Sequence, residues 1–352
     1  MNIKDIPVYR SSDLATTNYR MDSYSRQSKG NDPQLAKIMP GCYIPISDYE
    51  RVTQEELHLL RVYIAADAAR RRNTPARKLA QAGAEVRGQC REEGPCPWPV
   101  FAGESAALLH GLPMVGPMPN QVQVISGLKI HASVTTWRRT RSWHYDSQPV
   151  QVEGMYCTDV LYTLADLLCS RDFYSGIASV DYVLREKIAT KQQILTELGR
   201  RIGCKGVIKA RDVVKHADAR SESVGESLSR AVMLKGHLPM PRLQETIYDH
   251  GNFVGRVDFY WPDFNIIGEF DGLGKYNSGT YTDLSSGQIA QNERQRENAL
   301  ELATGARVVR WTWREAVDKD ALLVKLGRIG IEGYQSASRT TRATKHSPTK
   351  GR

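Results

Sequence analysis

The segment Gly255-Arg256-Val257-Asp258-Phe259-Tyr260-Trp261-Pro262-Asp263-Phe264-Asn265-Ile266-Ile267-Gly268-Glu269-Phe270-Asp271-Gly272 alternates apolar and polar residues twice. The alternation breaks once, at Trp261-Pro262-Asp263, which is the pattern of two strands joined by a tight turn. With Tyr260 facing Asn265 across that turn, Asp258 pairs with Ile267. Glu269 is then its diagonal neighbour on the same face, roughly 7–8 Å away between backbones. Period two adds Asp271 to that face. Carboxylates gathered on one half-buried face repel one another unless a cation sits among them. Hard divalent ions with oxygen ligands suit such a cluster, Mg²⁺ first and Mn²⁺ next. The alternative is a set of acids that are merely solvated on an exposed hairpin face.

A strand Asp (Asp258), then Glu269-Phe270-Asp271-Gly272 on the next strand and Lys275 shortly after, resembles the core of the PD-(D/E)XK nuclease superfamily. The nearest version is the small domain similar to very-short-patch-repair endonucleases. The resemblance implies that Asp258 and Glu269 hold the metal, with Asp271 or the carbonyl of Phe270 completing the set. Where the superfamily usually carries Lys, two places after the acid, this chain has Asp271, and Lys275 is the nearby substitute. Its role would be to neutralise charge developing on the phosphate or to help deprotonate the water. Such domains also carry an acid on their first helix near the metal, which implies Glu226. Ser223-x-x-Glu226 is equally a capping box, a structural reason for the same residue. Gln244 either orients the scissile phosphate or is a satisfied strand-end amide. A strong helix is expected over residues 288–304, where Glu293, Glu297, Arg294 and Arg296 alternate. Its two arginines are either phosphate ligands or members of exposed ion pairs. The strand that follows completes the strand–strand–helix–strand core that the resemblance implies.

The chain has 352 residues, enough for two or three domains, and 41% of them are hydrophobic, which excludes global disorder. No apolar run approaches the ~18–20 residues of a membrane span, and the N-terminus lacks the apolar centre of a secretion signal. A cytoplasmic protein with no membrane partner is the expectation. Six cysteines are scattered without a CxxC pair, so buried reduced thiols are expected rather than a zinc site. The formal net charge is +9, over half of it from Arg339, Arg342, Lys345, Lys350 and Arg352 in a tail without acids. A basic balance favours a polyanionic partner.

Residues 8–45 read as a small helical unit ending in two short strands around Pro40-Gly41, resembling the wing of a winged helix-turn-helix. Its recognition helix would present Arg20, Tyr24, Arg26 and Lys29 to phosphates and base edges of DNA. A helical lid with a solvated face is the plainer reading. A helix follows over 53–71, with Leu57, Leu60 and Ile64 at core spacing. The Arg138, Arg139 and Arg141 patch beside Trp137 and Trp143 is either a nucleic-acid contact or a half-buried strand edge. His110, before a helix-closing Gly111, reads as a cap or core residue.

Three motifs carry a second resemblance, to the AbiEi-type antitoxins of type IV toxin–antitoxin systems. They are Pro40-Gly41-x-Tyr43, Ser105-Ala106-Ala107-x-Leu109-His110-Gly111-Leu112-Pro113, and Asp159-x-x-x-Thr163-Leu164-x-Asp166-Leu167. The expected organisation is therefore multidomain α/β. It comprises a winged-helix DNA-binding domain over 1–60 and a mixed α/β middle domain similar to AbiEi over 61–205. A restriction-endonuclease-like α/β domain over 206–334 and a disordered basic tail over 335–352 complete it. Such a chain is either a metal-dependent DNA endonuclease serving phage defence or mobile-element control, or a non-enzymatic antitoxin that represses its own promoter. A third reading is a protein that sequesters a nucleotidyltransferase toxin.

Overall fold

The computed structural model describes residues 2–11, 35–71, 99–126, 133–135, 138–142, 148–272 and 286–332. Arg20, Tyr24, Arg26, Lys29, Lys275, Trp137, Trp143 and the basic tail lie outside the described residues, as does nearly all of the expected flap at 277–287. The chain is mixed α/β and divides into two compact units, one built on residues 1–112, 116–170 and 199–201, the other on 113–115, 171–198 and 202–352.

In the first unit, β1 (Tyr9–Arg10), β2 (Leu35–Met39) and β3 (Cys42–Pro45) form an antiparallel sheet in the order β1-β3-β2. The β2–β3 hairpin turns at Pro40-Gly41, where Met39 pairs with Cys42 and Gly41 takes the left-handed φ of 72° that a side chain would resist. After the single turn α1 (Ile46–Tyr49) comes α2 (Gln54–Arg71). Its start is closed by a reciprocal cap: Glu56 N–H donates to Thr53 Oγ1 at 3.2 Å and Thr53 N–H to Glu56 Oε2 at 2.8 Å. Leu60 and Ile64 are buried as their spacing requires and Leu57 packs at the margin of the same core. That core also takes in Ile38, Ile44, Phe101, Val124 and Cys157. The boundary expected at 60/61 therefore falls inside α2, within one continuous core.

The unit's larger sheet runs β6-β7-β5-β4-β9-β8, with β4 (Val100–Phe101), β5 (Val122–Ser126), β6 (Ser133–Val134), β7 (Arg138–Ser142), β8 (Val150–Val152) and β9 (Met155–Cys157). Arg138, Arg139 and Arg141 lie on β7, hydrogen-bonded to β5 in parallel. Helix α3 (Gly103–Leu109) is tied to α2 by buried His58, whose Nε2 is 2.8 Å from Ser105 Oγ and Nδ1 2.8 Å from the Pro119 carbonyl. His110 Nε2 sits 2.7 Å from the Thr158 carbonyl, a structural tie of the kind its place before Gly111 suggests. Asp159 caps α4 (Val160–Ser170) by accepting from Tyr162 N–H at 3.0 Å.

The second unit opens with four helices, α5 (Phe173–Arg185), α6 (Lys191–Gly199), α7 (Val207–His216) and α8 (Val224–Lys235). A four-stranded sheet follows, in the order β10-β11-β12-β13, from β10 (Arg242–Asp249), β11 (Asn252–Trp261), β12 (Ile266–Asp271) and β13 (Arg307–Thr312). The first three strands are antiparallel to their neighbours, and β13 lies parallel to β12 after the long crossover helix α9 (Ser286–Thr304). Two short helices, α10 (Trp313–Val317) and α11 (Lys319–Arg328), close the unit. Phe259, Trp261, Phe270 and Trp311 pack with Leu228, Val232 and Met233 of α8, while Val257, Ile267 and Val308 pack with Leu300 of α9. The sheet is thus covered on both faces.

The register of the central hairpin corrects the sequence reading. Tyr260 pairs with Ile267 and Phe259 with Gly268, not Tyr260 with Asn265. Pro262–Phe264 forms a 3₁₀ turn and Asn265 closes it at φ 53°, so the connection is four residues long and shifts the ladder by two. The ladder ends at Phe259–Gly268, so Asp258 and Glu269 are the residues just beyond its last pair and Asp258 does not pair with Ile267.

Helix α8 is fixed to α5 by a buried ion pair: Arg230 Nη2 donates to Asp181 Oδ2 at 2.6 Å and to Oδ1 at 2.8 Å, with side-chain exposures of 4% and 0%. Asp218 N–H donates to the same Oδ1 at 2.7 Å. Removing one partner strands the other charge. Asp181→Ala is expected to lower folding stability by about 3–5 kcal/mol, read as a shift of the urea midpoint at constant slope. A loss below about 1 kcal/mol would show that the pair is not what seats α8.

Candidate functional site

The start of α8 presents the first acid. Ser223 is the N-cap, accepting from Glu226 N–H at 3.1 Å, and the Glu226 carboxylate turns back to accept from Glu222 N–H at 2.8 Å. This is the capping role that Ser223-x-x-Glu226 suggests, with the reciprocal bond landing one residue earlier than in the standard box. Capping does not exhaust the side chain. The same Oε2 accepts from Gln244 Nε2 at 2.9 Å, and Gln244 Nε2 also donates to Asp258 Oδ1 at 3.1 Å. One amide nitrogen, with its two hydrogens, therefore links two carboxylates from a helix and a strand.

Gln244 reaches this position through a distortion of its strand. Its φ is +52°, between the regular pairs Leu243–Phe259 and Glu245–Val257. A non-glycine residue held there is strained by about 1–3 kcal/mol, and such residues gather where side-chain aim matters more than regular pairing. Asp258, facing this irregularity, takes a ladder bond with its side chain: Phe270 N–H donates to Asp258 Oδ2 at 2.9 Å. Phe270 in turn packs on Gly225, where an added Cβ would lie 2.0 Å from the ring. The helix start, the distorted strand at Gln244 and β12 are thereby held in contact.

Glu269 has a different environment. It is 9% exposed, with Arg296 Nη2 at 2.7 Å from Oε1 and Arg310 Nε at 3.3 Å from Oε2. Arg310, its register partner on β13, also lies 2.9 Å from Glu293 and 3.5 Å from Glu297 on α9. Arg296 donates further to the Arg256 carbonyl at 2.9 Å. The hydrogen bond to Glu269 is the largest cause holding its guanidinium above the ordinary arginine range, and the charges of Glu293 and Asp258 act in the same direction. Of the two arginines singled out on α9, Arg296 belongs to this ionic cluster, whereas Arg294 is exposed. Asp271 is half-buried at the end of β12, paired in register with Thr312.

Sequence reasoning missed Arg310. Its polar place in Val308-Val309-Arg310-Trp311 marks it as facing α9 with Glu269, but its partners come from two other elements. Among the described residues no three His, Cys, Asp or Glu side chains form a metal-ligating group.

Glu226 is 7% exposed, and burial raises its carboxyl above the ordinary 4.5, with the neighbouring Asp258 charge adding to the rise. The native state therefore holds this proton more tightly than the unfolded chain does. The sign follows: the contribution to stability is fully present below 4.5 and is lost as pH rises through the native value. Glu226→Gln removes the titration. The variant is expected to gain stability relative to wild type as pH rises from about 4.5 to about 7.5 in urea denaturation series; parallel curves would contradict the assignment.

No family model matches the chain, and no solved structure matches it. Two proteins of Mycobacterium tuberculosis are similar to it: uncharacterized protein MT2308 of strain CDC 1551 / Oshkosh and uncharacterized protein Rv2248 of strain ATCC 25618 / H37Rv. Each is 32% identical over 123 residues, which is 35% of this chain and 45% of the relative. The matched region thus spans less than half the length of either relative.

Proposed function

We propose that the second unit is a metal-dependent DNA endonuclease domain of the PD-(D/E)XK type, carried by a chain whose N-terminal region reads DNA. The observation that carries this reading is the pair Glu226 and Asp258 bridged by Gln244 at 2.9 and 3.1 Å, on a helix and strand next to Glu269. The strand order β10-β11-β12-β13, with α9 crossing between parallel β12 and β13, supports the restriction-endonuclease-like core. The Pro40-Gly41 hairpin supports a winged helix-turn-helix at the front, with a mixed α/β middle domain behind it. No described helix is long and apolar enough to cross a membrane.

The donor set is chemically suited to Mg²⁺ or Mn²⁺. It offers hard carboxylate oxygens only, and burial and mutual repulsion leave Glu226 short of positive charge. Asp258, Glu269 and Asp271 would hold the ion with Glu226 as the neighbouring acid, after being drawn closer than in the arrangement described, where no three of them form a ligating group. When bound, such an ion polarises a phosphodiester oxygen and activates water. The chain's own residues do the positioning. Gln244 orients both acids through one nitrogen, and the Phe270 N–H fixes the second oxygen of Asp258. Arg296, now paired with Glu269, would offer its guanidinium to phosphate oxygens. Lys275 would add a second positive charge to the phosphate.

One observation favours a second reading. Glu269 is held by Arg296 and by Arg310, so its charge is satisfied without metal. Together with Asp271 in the usual place of Lys, this supports a non-enzymatic antitoxin or repressor built on a nuclease-derived fold, with a nucleotidyltransferase-type toxin as partner. Incubation of the purified chain with supercoiled DNA and Mg²⁺ or Mn²⁺ separates the two. Nicking is expected, falling by at least about a hundredfold in both Asp258→Ala and Glu269→Ala. Retarded DNA without cleavage under either metal would leave the repressor reading in place.

A further inference from the structure

Ahead of the site in the chain, α7 and the residue before it carry basic side chains that no described carboxylate neutralises, at Lys205, Arg211 and Lys215. Helix α7 buries Val207, Ala210, Val213 and Val214. Its opposite face shows Ile208, Arg211 and Lys215, spaced by three and four residues, with Lys205 just before the helix begins. Ile208 is 83% exposed, a bare aliphatic side chain among bases. Lys205, Arg211 and Lys215 have no carboxylate within ion-pair distance among the described residues. The one acid of α7, Asp212, is engaged by Lys235 at 3.5 Å and His216 at 3.2 Å. Lys191 Nζ reaches the Lys215 carbonyl at 3.4 Å, which joins the first residue of α6 to the end of α7 and extends the same strip.

Like charges four residues apart, as at Arg211 and Lys215, weaken a helix by a few tenths of a kcal/mol. A face that keeps them with no carboxylate partner among the described residues is suited to an external anion. We propose that the outer face of α7, continued by Lys191, docks the phosphate backbone of duplex DNA. This goes beyond the catalytic reading, because it assigns DNA binding to helices that hold none of the candidate acids.

The chemistry distinguishes among polyanions. Lysine is depleted at the centres of protein–protein interfaces, so a lysine strip around one isoleucine is a poor site for an acidic protein. Single-stranded RNA is read by stacking on aromatic rings, and neither α6 nor α7 contains Phe, Tyr or Trp. Double-stranded RNA presents a major groove too narrow for a helix. The major groove of B-DNA, about 12 Å wide, admits a helix of about 10–12 Å and displays thymine methyl groups that Ile208 can meet.

The test uses the full chain carrying Asp258→Ala, so that cleavage does not disturb binding, and a fluorescein-labelled DNA duplex titrated over a series of salt concentrations. In Lys205→Gln/Arg211→Gln/Lys215→Gln, three lost phosphate contacts are expected to reduce the slope of log K against log salt by roughly 2–3. Affinity near 0.1 M salt should fall at least about tenfold. The charge-keeping variant Lys205→Arg/Arg211→Lys/Lys215→Arg should retain the wild-type slope, and far-ultraviolet circular dichroism should be the same for all three proteins. An unchanged slope in the glutamine variant would overturn the proposal. So would a loss confined to a single-stranded RNA probe or to an acidic protein. Nicking by the chain without Asp258→Ala is scored separately, so an inactive nuclease and an idle α7 face give different results.

Discussion

Two negative charges held within reach of a single amide are the constraint on which the second unit depends. Glu226 and Asp258 belong to elements that must be brought together against their own repulsion, and both are withdrawn from water to different degrees. Gln244 makes this tolerable by giving each carboxylate one N–H from the same nitrogen. An amide supplies direction but no net charge, so the repulsion is eased and not cancelled.

The surrounding architecture serves that constraint. The strained backbone at Gln244 can persist because regular pairs on both sides, Leu243–Phe259 and Glu245–Val257, over-determine the strand. The start of α8 cannot drift from β12, because Gly225 accepts the Phe270 ring where any side chain would collide with it. Farther along α8, Arg230 anchors the helix to α5 through Asp181. Trp311 on β13 donates to Ser229 Oγ at 2.8 Å, bringing the last strand to the same helix. Burial, one glycine and one ion pair thus act on the same helix, whose first turn carries Glu226.

Period two made the polar face of the hairpin legible, and capping chemistry located the start of α8 at Ser223. Register was harder. It depends on whether Pro262-Asp263-Phe264-Asn265 closes as a tight loop or as a 3₁₀ turn ending in a left-handed Asn265, and both begin with the same residues. The part played by Gln244 was legible only as two open alternatives, because its partners lie 18 residues before it and 14 after. Arg310 was hidden for the same reason: a strand shows which face a residue takes but not which charges await it there. The order of motifs along the chain does not encode the packing that joins Ile38, Ile44, Leu60 and Val124 in one core across position 60.

The two acid environments differ in a way that bears on chemistry. Glu269 meets full positive charges from Arg296 and Arg310, and Arg310 is balanced in turn by Glu293 and Glu297 on α9. The ionic layer on the α9 face therefore sets two guanidinium groups against three carboxylates. The Glu226–Gln244–Asp258 link is instead bridged by an amide. On the proposed endonuclease reading, a cation bound here would have to compete with two guanidinium groups for Glu269. Asp258 is the residue common to both sides, since its charge also acts on Arg296. On the proposed endonuclease reading, Arg296 is the residue that would pass from Glu269 to a phosphate oxygen, a swap of one charge-assisted contact for another.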